Sequence, residues 1–211
     1  INFPIFLNLL NTKYVLSNTE IMNESFKKIS EHSNVYINYL PKVEKKLFVY
    51  QNKDLLPRAY IVPNAIVLSK NNVLNKLKSK SFDPKNGVIL QKNPNMRLNN
   101  SSLYKEVKIS YRDPNKIQLN TTLENPGFLV LSEVFYPGWK AYDNNKETEI
   151  YKANYILRSI YLDKGTHSIT FIYSPDSYKT GAIISISAVF LICIYLLRNK
   201  DSLVDIKKLF A

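Results

Sequence analysis

The sequence predicts a mainly β protein, with a small α+β module, an antiparallel β-sandwich and one C-terminal transmembrane helix. Residues 107–173 contain about seven short segments with the alternation of β-strands, separated by turn residues. Residues 71–81 have the apolar spacing of an α-helix, and residues 181–197 contain no charged residue. The predicted order is a membrane-proximal segment (1–10), a mixed extracytoplasmic module (11–100), the sandwich (101–177), the transmembrane helix (178–198) and a basic tail (199–211).

The membrane-proximal segment, INFPIFLNLL, is apolar but too short to cross a bilayer, and Pro4 interrupts it. The chain begins at Ile1 without an initiator methionine and without the pattern of a signal peptide. We therefore expect that the natural N terminus lies upstream and that this segment leaves an embedded part of the protein. An ordinary buried helix fits the same residues equally well.

The module that follows mixes strand and helix patterns. Asn71 or Asn72 is the expected N-cap of its helix, and Val73, Leu74 and Leu77 share one helical face. We expect an α+β module between upstream membrane helices and the sandwich. Its predicted strands are residues 12–17, 35–40, 47–51 and 59–63.

The predicted sandwich begins with a hairpin. Residues 107–111 and 116–123 alternate apolar and polar side chains on either side of an Asp-Pro-Asn turn. The almost continuously apolar run 127–136 is typical of a central strand that is covered on both faces. Further strands are expected at residues 139–142, 148–151, 155–162 and 167–173.

The apolar segment 181–197 has about the shortest length that spans a bilayer, and Tyr178 suits the interface before it. Four basic residues follow this segment, whereas only Lys179 lies close before it. Positive charge concentrates on the cytoplasmic side of membranes, so we expect a cytoplasmic tail and extracytoplasmic residues 1–177. The alternative is a buried core helix of a soluble domain. The tail itself fits an amphipathic helix on the inner leaflet or a solvated end.

The chain is basic, with 29 Lys and Arg, 17 Asp and Glu, and a net charge of +12. The excess consists mostly of scattered lysines, without an arginine cluster and without a helix-turn-helix or RNA-binding pattern. This distribution argues against a nucleic-acid partner. Anionic lipid headgroups or acidic polymers fit the charge better.

Catalytic groups are scarce in this chain. His32 and His167 are the only histidines, Cys193 is the only cysteine, and no motif of a nucleophile, nucleotide site or metal site occurs. We therefore predict no catalytic residue, no metal and no cofactor within these residues. If the parent protein is an enzyme, we expect its catalytic groups upstream of Ile1.

Four sequence runs carry a family resemblance. They are LNLLNTKYVLS (7–17), LFVYQNKDLLPRAYIV (47–62), LVLSEVFYPGWKAY (129–142) and ANYILRSIYLDKGTHSITFIYSPDSYKTG (153–181). In this order and at these separations they resemble the C-terminal part of the bacterial YfhO family of polytopic membrane proteins. The resemblance extends over nearly the whole chain, and residues 19–46 are the part that diverges.

The resemblance implies a parent protein similar to the GT-C class of glycosyltransferases, multi-pass enzymes of the cell membrane that use polyprenyl-phosphate sugars. Relatives in this family are associated with glycosylation of envelope polymers such as lipoteichoic acid. In that class the catalytic acidic residue lies in an early extracytoplasmic loop, which this chain does not contain. The expected partners are the lipid bilayer, a polyprenyl-phosphate sugar and an envelope polymer.

Two aromatic residues of the YPGW motif are candidate substrate-binding groups. Tyr136 and Trp139 flank a Pro-Gly turn, and their faces suit the apolar face of a sugar ring. The alternative is structural, with a tight β-turn and Trp139 closing one end of the sandwich.

Three polar residues of the other motifs are further candidates. Arg58 suits a phosphate or carboxylate, and an ion pair within the protein is its structural alternative. Asn154 and Arg158 are predicted on one face of one strand, where they could contact a ligand or form a buried hydrogen-bonded network. For His167, which opens the last strand, we expect a role in stabilising the turn.

Two functions from different classes fit these observations. The first is the extracytoplasmic region of a membrane glycosyltransferase, which positions the acceptor or supports the membrane domain. The second is a noncatalytic, membrane-tethered β-sandwich that binds an envelope glycan or a partner protein. Many apolar helices upstream would favour the enzyme, whereas a single signal peptide would favour the tethered module.

Overall fold

A computed structural model describes residues 4–35, 45–79, 81–94 and 103–198. These residues are mainly β, as predicted, with fifteen strands and three helices. In chain order the elements are α1 (Pro4–Leu9), β1 (Tyr14–Ser17), β2 (Phe26–Val35), β3 (Lys45–Asn52), β4 (Ala59–Val62), β5 (Asn64–Val67), α2 (Lys70–Lys78), β6 (Gly87–Leu90), β7 (Lys105–Glu106), β8 (Ile109–Asp113), β9 (Lys116–Leu123), β10 (Gly127–Val134), β11 (Trp139–Asp143), β12 (Lys146–Thr148), β13 (Tyr151–Ala153), β14 (Leu157–Leu162), β15 (Gly165–Tyr173) and α3 (Asp176–Arg198).

The first sheet is small and antiparallel, with the order β1-β3-β2. Phe26, Phe48 and Tyr50 form its apolar cluster. The buried Asn52 side chain at the end of β3 donates hydrogen bonds to Asn8 Oδ1 at 2.8 Å and to the Thr12 carbonyl at 3.1 Å. These bonds hold the sheet to the segment around α1. Of the strand predicted at residues 35–40, all but the first residue lies outside the described part of the chain.

The second sheet has seven strands in the order β5-β6-β13-β14-β10-β4-β7. Its strands pair antiparallel except β5 and β6, which are parallel because α2 carries the chain from one to the other. Helix α2 buries Val73 and Leu77 in the core that covers one face of this sheet. Its N-cap is Ser69, so the prediction of Asn71 or Asn72 was wrong. The helix starts at Lys70, shortly after the Leu68 amide donates a backbone hydrogen bond to the Leu90 carbonyl.

The third sheet is antiparallel, with the order β12-β11-β15-β9-β8. Strand β9 buries every second residue, so one face of this sheet points into the protein. The Arg158 guanidinium of β14 lies 5.7 Å from the Phe171 ring of β15, which brings the two larger sheets face to face. Strand β10 is buried on both faces, as its continuous apolar run predicted.

The seven-stranded sheet draws strands from both sides of the boundary predicted at residue 100. Strands β4, β5 and β6 precede that residue, whereas β10, β13 and β14 follow it. The division into a module at 11–100 and a sandwich at 101–177 remains a prediction.

The chain separates into two compact units, and the second consists of residues 137–139 and 173–211. Its main element is α3, whose 23 residues are long and apolar enough to cross a membrane. Thr180 and Ser187 hydroxyls donate to carbonyls one turn earlier, so these polar groups are satisfied within the helix. The predicted basic tail lies outside the described residues.

Candidate functional site

Three arginines converge on the carboxylate of Glu133 in the first unit. Arg58 Nε lies 3.3 Å and Arg112 Nη2 3.0 Å from Glu133 Oε1, and Arg158 Nη2 lies 3.9 Å from Oε2. We call these four residues the Glu133 cluster.

Strand pairing within the seven-stranded sheet places most of this cluster. The Ser132 amide donates to the Arg58 carbonyl at 2.7 Å, so Arg58 stands beside the end of β10. Leu131 pairs with Arg158, and the register between β10 and β14 then shifts before Val134. Such a bulge redirects side chains at the end of a strand, and Glu133 lies within it.

Arg112 reaches the same carboxylate from the other sheet, since it belongs to the edge strand β8. Its ion pair therefore connects the five-stranded sheet to the seven-stranded sheet. An edge strand has no neighbouring strand on one side, so that side is open to solvent. The cluster thus lies where the edge strand β8 of the five-stranded sheet approaches the end of β10 in the seven-stranded sheet.

The arginines differ in exposure. The Arg158 side chain is 2% exposed and stacks on Phe171, whereas the side chains of Arg58 and Arg112 are 38% and 47% exposed. Burial lowers the pKa of Arg158 to about 10, and the nearby Glu133 carboxylate opposes that shift. The guanidinium is therefore charged at neutral pH, with its charge held inside the sandwich.

The cluster joins two of the predicted candidates, Arg58 and Arg158, and adds Arg112, which the sequence analysis did not select. The arginines are scattered along the sequence, and three of them meet in space. Composition offered a signal, because only five of the 29 basic residues are arginines. Arginine among so many lysines marks positions where the planar guanidinium matters.

Asn154 has a structural position. It lies in the turn between β13 and β14 with φ 45°, and Tyr155 beside it also has a positive φ of 80°. The backbone amide of Asn154 donates to the Ile89 carbonyl at 2.8 Å, and its side-chain Oδ1 accepts from the Ile89 backbone amide at 2.9 Å. These two hydrogen bonds connect the turn to β6. The prediction that Asn154 shares a strand face with Arg158 was wrong, because the left-handed turn ends the strand pattern between them.

The two aromatic candidates lie on either side of the Pro137-Gly138 turn. Tyr136 is 60% exposed, and the ring of the partly buried Trp139 packs 5.4 Å from that of Tyr173. Within the second unit the Ser174 amide donates to the Gly138 carbonyl at 2.8 Å. Gly138 has φ 100°, and a Cβ there would stand 2.8 Å from that of Pro175, so the close turn requires glycine.

His167 is closed off by hydrogen bonds. Its Nδ1 lies 2.7 Å from Asp143 Oδ2 and its Nε2 lies 2.9 Å from the Asp163 carbonyl, and the residue is 5% exposed. Both partners are acceptors, so both bonds form together only when both ring nitrogens carry hydrogen. His167 thus links the end of β11 to the connection before β15, which is the stabilising role expected for it.

A pocket of about 340 Å³ opens between β4 and β9. Tyr104, Lys105 and Thr122 line it, and the Lys105 ammonium donates to the Thr122 carbonyl at 2.8 Å. Burial, followed by the nearby Glu106 carboxylate, raises the pKa of Tyr104 above its usual range. The pocket combines an aromatic ring with polar groups, but its lysine is already engaged by the backbone.

Comparisons with known proteins find a family match in the second half of the chain. The family model described as bacterial membrane protein YfhO matches residues 84–185. A curated protein named "Uncharacterized protein YfhO", from Bacillus subtilis (strain 168), is 29% identical over 86 residues, which cover 41% of this chain and 10% of that relative. The chain thus matches about a tenth of that relative's length. No solved structure matches the chain.

Proposed function

We infer, from the match of residues 84–185 to the family model of bacterial membrane protein YfhO, that this chain is the C-terminal region of a membrane glycosyltransferase. The parent enzyme transfers a sugar from a polyprenyl-phosphate donor to an envelope polymer such as lipoteichoic acid. One observation carries the proposal: the family match runs without a break from the strands of both large sheets into α3. The strand-rich region and the beginning of α3 are therefore parts of one family region.

The proposed role of this region is to position the acceptor, while the chemistry takes place upstream. The groups that support this role bind rather than transfer protons. Arginine stays charged at neutral pH, and both ring nitrogens of the buried histidine lie within hydrogen-bond distance of fixed groups of the protein. The Glu133 cluster thus offers charge and hydrogen-bond donors on an accessible surface.

For sidedness we propose that residues 1–177 lie outside the cell and that the tail is cytoplasmic. The support is the charge around α3: Arg198 ends the helix, three lysines follow it, and Lys179 lies near its start. An acceptor polymer of the envelope is then on the same side of the membrane as the sheets.

Glycosyl transfer by purified proteins tests the role. We expect the complete parent protein to transfer sugar from a polyprenyl-phosphate donor and the chain of residues 1–211 to show no turnover. Turnover by the short chain would mean that the catalytic groups lie within residues 1–211 and not upstream. Absence of transfer by the complete protein, with every candidate donor, would favour the noncatalytic binding module.

Cysteine labelling tests the sidedness. In a Cys193→Ser background, Glu147→Cys on the exposed β12 should react with a membrane-impermeant maleimide in intact cells. Ser202→Cys in the tail should react only after the membrane is opened. The reverse pattern would overturn the proposed topology.

A further inference from the structure

We propose that the Glu133 cluster is a binding site for a phosphate group of the anionic acceptor polymer. The inference deepens the proposed function and rests on it for the identity of the polymer. Phosphate binding itself is a property of this chain and can be measured without glycosyl transfer.

The balance of charges in the cluster favours the binding of a phosphate group. The partly exposed Arg58 and Arg112 both pair with the Glu133 carboxylate, which leaves one positive charge in excess on the exposed side of the cluster. A phosphodiester carries one negative charge, and a phosphate monoester about −1.5 to −2 at neutral pH. A single phosphate therefore removes this excess.

The hydrogen-bond capacity of the cluster also favours a phosphate group. Each guanidinium has about five N–H donors, whereas a carboxylate accepts about four hydrogen bonds, so Glu133 alone cannot satisfy the donors of both Arg58 and Arg112. The planar guanidinium fork matches the oxygens of phosphate, and it is more weakly hydrated than a lysine ammonium. This chemistry explains why arginines stand here in a chain whose basic residues are mostly lysines.

The arginines of the cluster are also accessible to a ligand from solvent. Arg158 is buried and supplies a fixed positive charge from inside the sandwich, while the exposed parts of Arg58 and Arg112 face solvent. Glu133, whose side chain is 20% exposed, holds all three guanidinium groups near one point before any ligand arrives. Preorganised donors of this kind lower the cost of binding an anion.

Calorimetric titration of residues 1–211 in maltoside micelles tests the site. The probes are inorganic phosphate, a soluble oligomer of glycerol phosphate, and phosphatidylglycerol added to the micelles, each at matched ionic strength with chloride as reference. We expect the oligomer to bind more tightly than inorganic phosphate, because neighbouring phosphates raise the effective concentration at the site.

The variants separate a binding site from a structural network. Arg112→Gln should weaken oligomer binding about tenfold, as expected for loss of a charge-assisted hydrogen bond. Lys164→Gln removes the same charge from the exposed β14–β15 connection and should change little. Glu133→Gln should strengthen binding, because it removes the competing negative charge while its amide oxygen still accepts from arginine.

The opposite results would overturn the proposal. These are no binding of the oligomer, binding that Arg112→Gln leaves unchanged, weaker binding by a folded Glu133→Gln, or binding of phosphatidylglycerol alone. Circular dichroism spectra of each variant verify that it is folded. If the oligomer binds while the complete protein transfers no sugar, the site stands and the proposed enzyme function fails. If transfer occurs without phosphate binding, only the site fails.

Discussion

The Glu133 cluster and the hydrogen bonds of His167 lie in the same unit of the protein and use the same kinds of charged group. At His167 one ring faces one carboxylate and one carbonyl, and each ring nitrogen has its acceptor. At Glu133 one carboxylate faces three arginines, two of which reach solvent. At His167 the hydrogen-bonding groups are matched and buried, whereas at Glu133 the arginines outnumber the carboxylate and two of them are exposed to solvent.

This difference separates a stabilising interaction from a candidate binding site. A buried polar group whose hydrogen bonds are complete gains nothing from an added ligand, and its removal mainly destabilises the fold. A cluster with excess positive charge at the surface can bind an anion without a rearrangement of the fold. Substitutions at the two places should therefore differ in whether they change stability, binding or both.

The largest expected effect on stability belongs to Arg158→Ala. It removes a buried guanidinium from the Phe171 ring and from Glu133, so we expect a loss of about 3 kcal/mol, near the lower end for a broken buried ion pair. In a chain of this length the melting temperature should fall by about 6 to 12 °C, measured by circular dichroism in micelles.

Arg158→Met is the matched control for that change. Methionine keeps most of the buried volume and needs no counter-charge, so its loss should be less than half of that of the alanine variant. Equal melting temperatures for wild type and Arg158→Ala would show that Arg158 does not support the packing of the two sheets.

His167→Ala should have the second largest effect on stability. It leaves the partly buried Asp143 carboxylate without its imidazole donor, which costs about 2 kcal/mol, or about 4 to 8 °C in melting temperature. Asp143→Asn should cost less, because the amide oxygen still accepts from the ring. Neither change should alter phosphate binding, and a coupled loss of binding would remove the distinction between the two places.

The smallest effect is expected at an exposed ion pair, where Lys92 Nζ donates to Glu149 Oε1. This hydrogen bond lowers the pKa of Glu149, so its stabilisation is present above about pH 4.5 and is lost as the pH falls through the folded-state pKa. Both side chains are largely exposed, and solvent screening limits the effect of Glu149→Gln to about 0.5 kcal/mol or less. Urea unfolding at pH 7 and pH 3 should show that difference shrink in acid. Glu147→Gln, on the exposed β12, is the charge-matched control and should differ from wild type at neither pH.

Sequence patterns located most strands but missed β2, β5, β6 and β7. Strand β2 carries Lys27, Lys28 and Glu31 and lacks a continuous apolar alternation, so nothing local indicates it. Pairing with β3 holds it in the three-stranded sheet. Strands β5 and β6 and their parallel pairing were likewise not predicted, since short apolar segments reveal neither their secondary structure nor which strand they join.

The sequence by itself determined the elements whose signal is local. The uncharged run that becomes α3, the helical spacing of α2, the alternation of β9 and the apolar run of β10 each depend on neighbours within a few residues. The family resemblance came from short motifs of the same local kind, and the family match over residues 84–185 confirms the part that rests on residues 129–181.

Only the tertiary structure decided the Glu133 cluster. Arg58, Arg112 and Arg158 stand before or within three different strands, and Glu133 lies in a fourth. Their meeting depends on the order of strands in one sheet, on a register shift in β10 and on the approach of an edge strand from the other sheet. These features follow from packing between distant segments, because the periodicity of a strand fixes which face a residue occupies but not which strand becomes its neighbour.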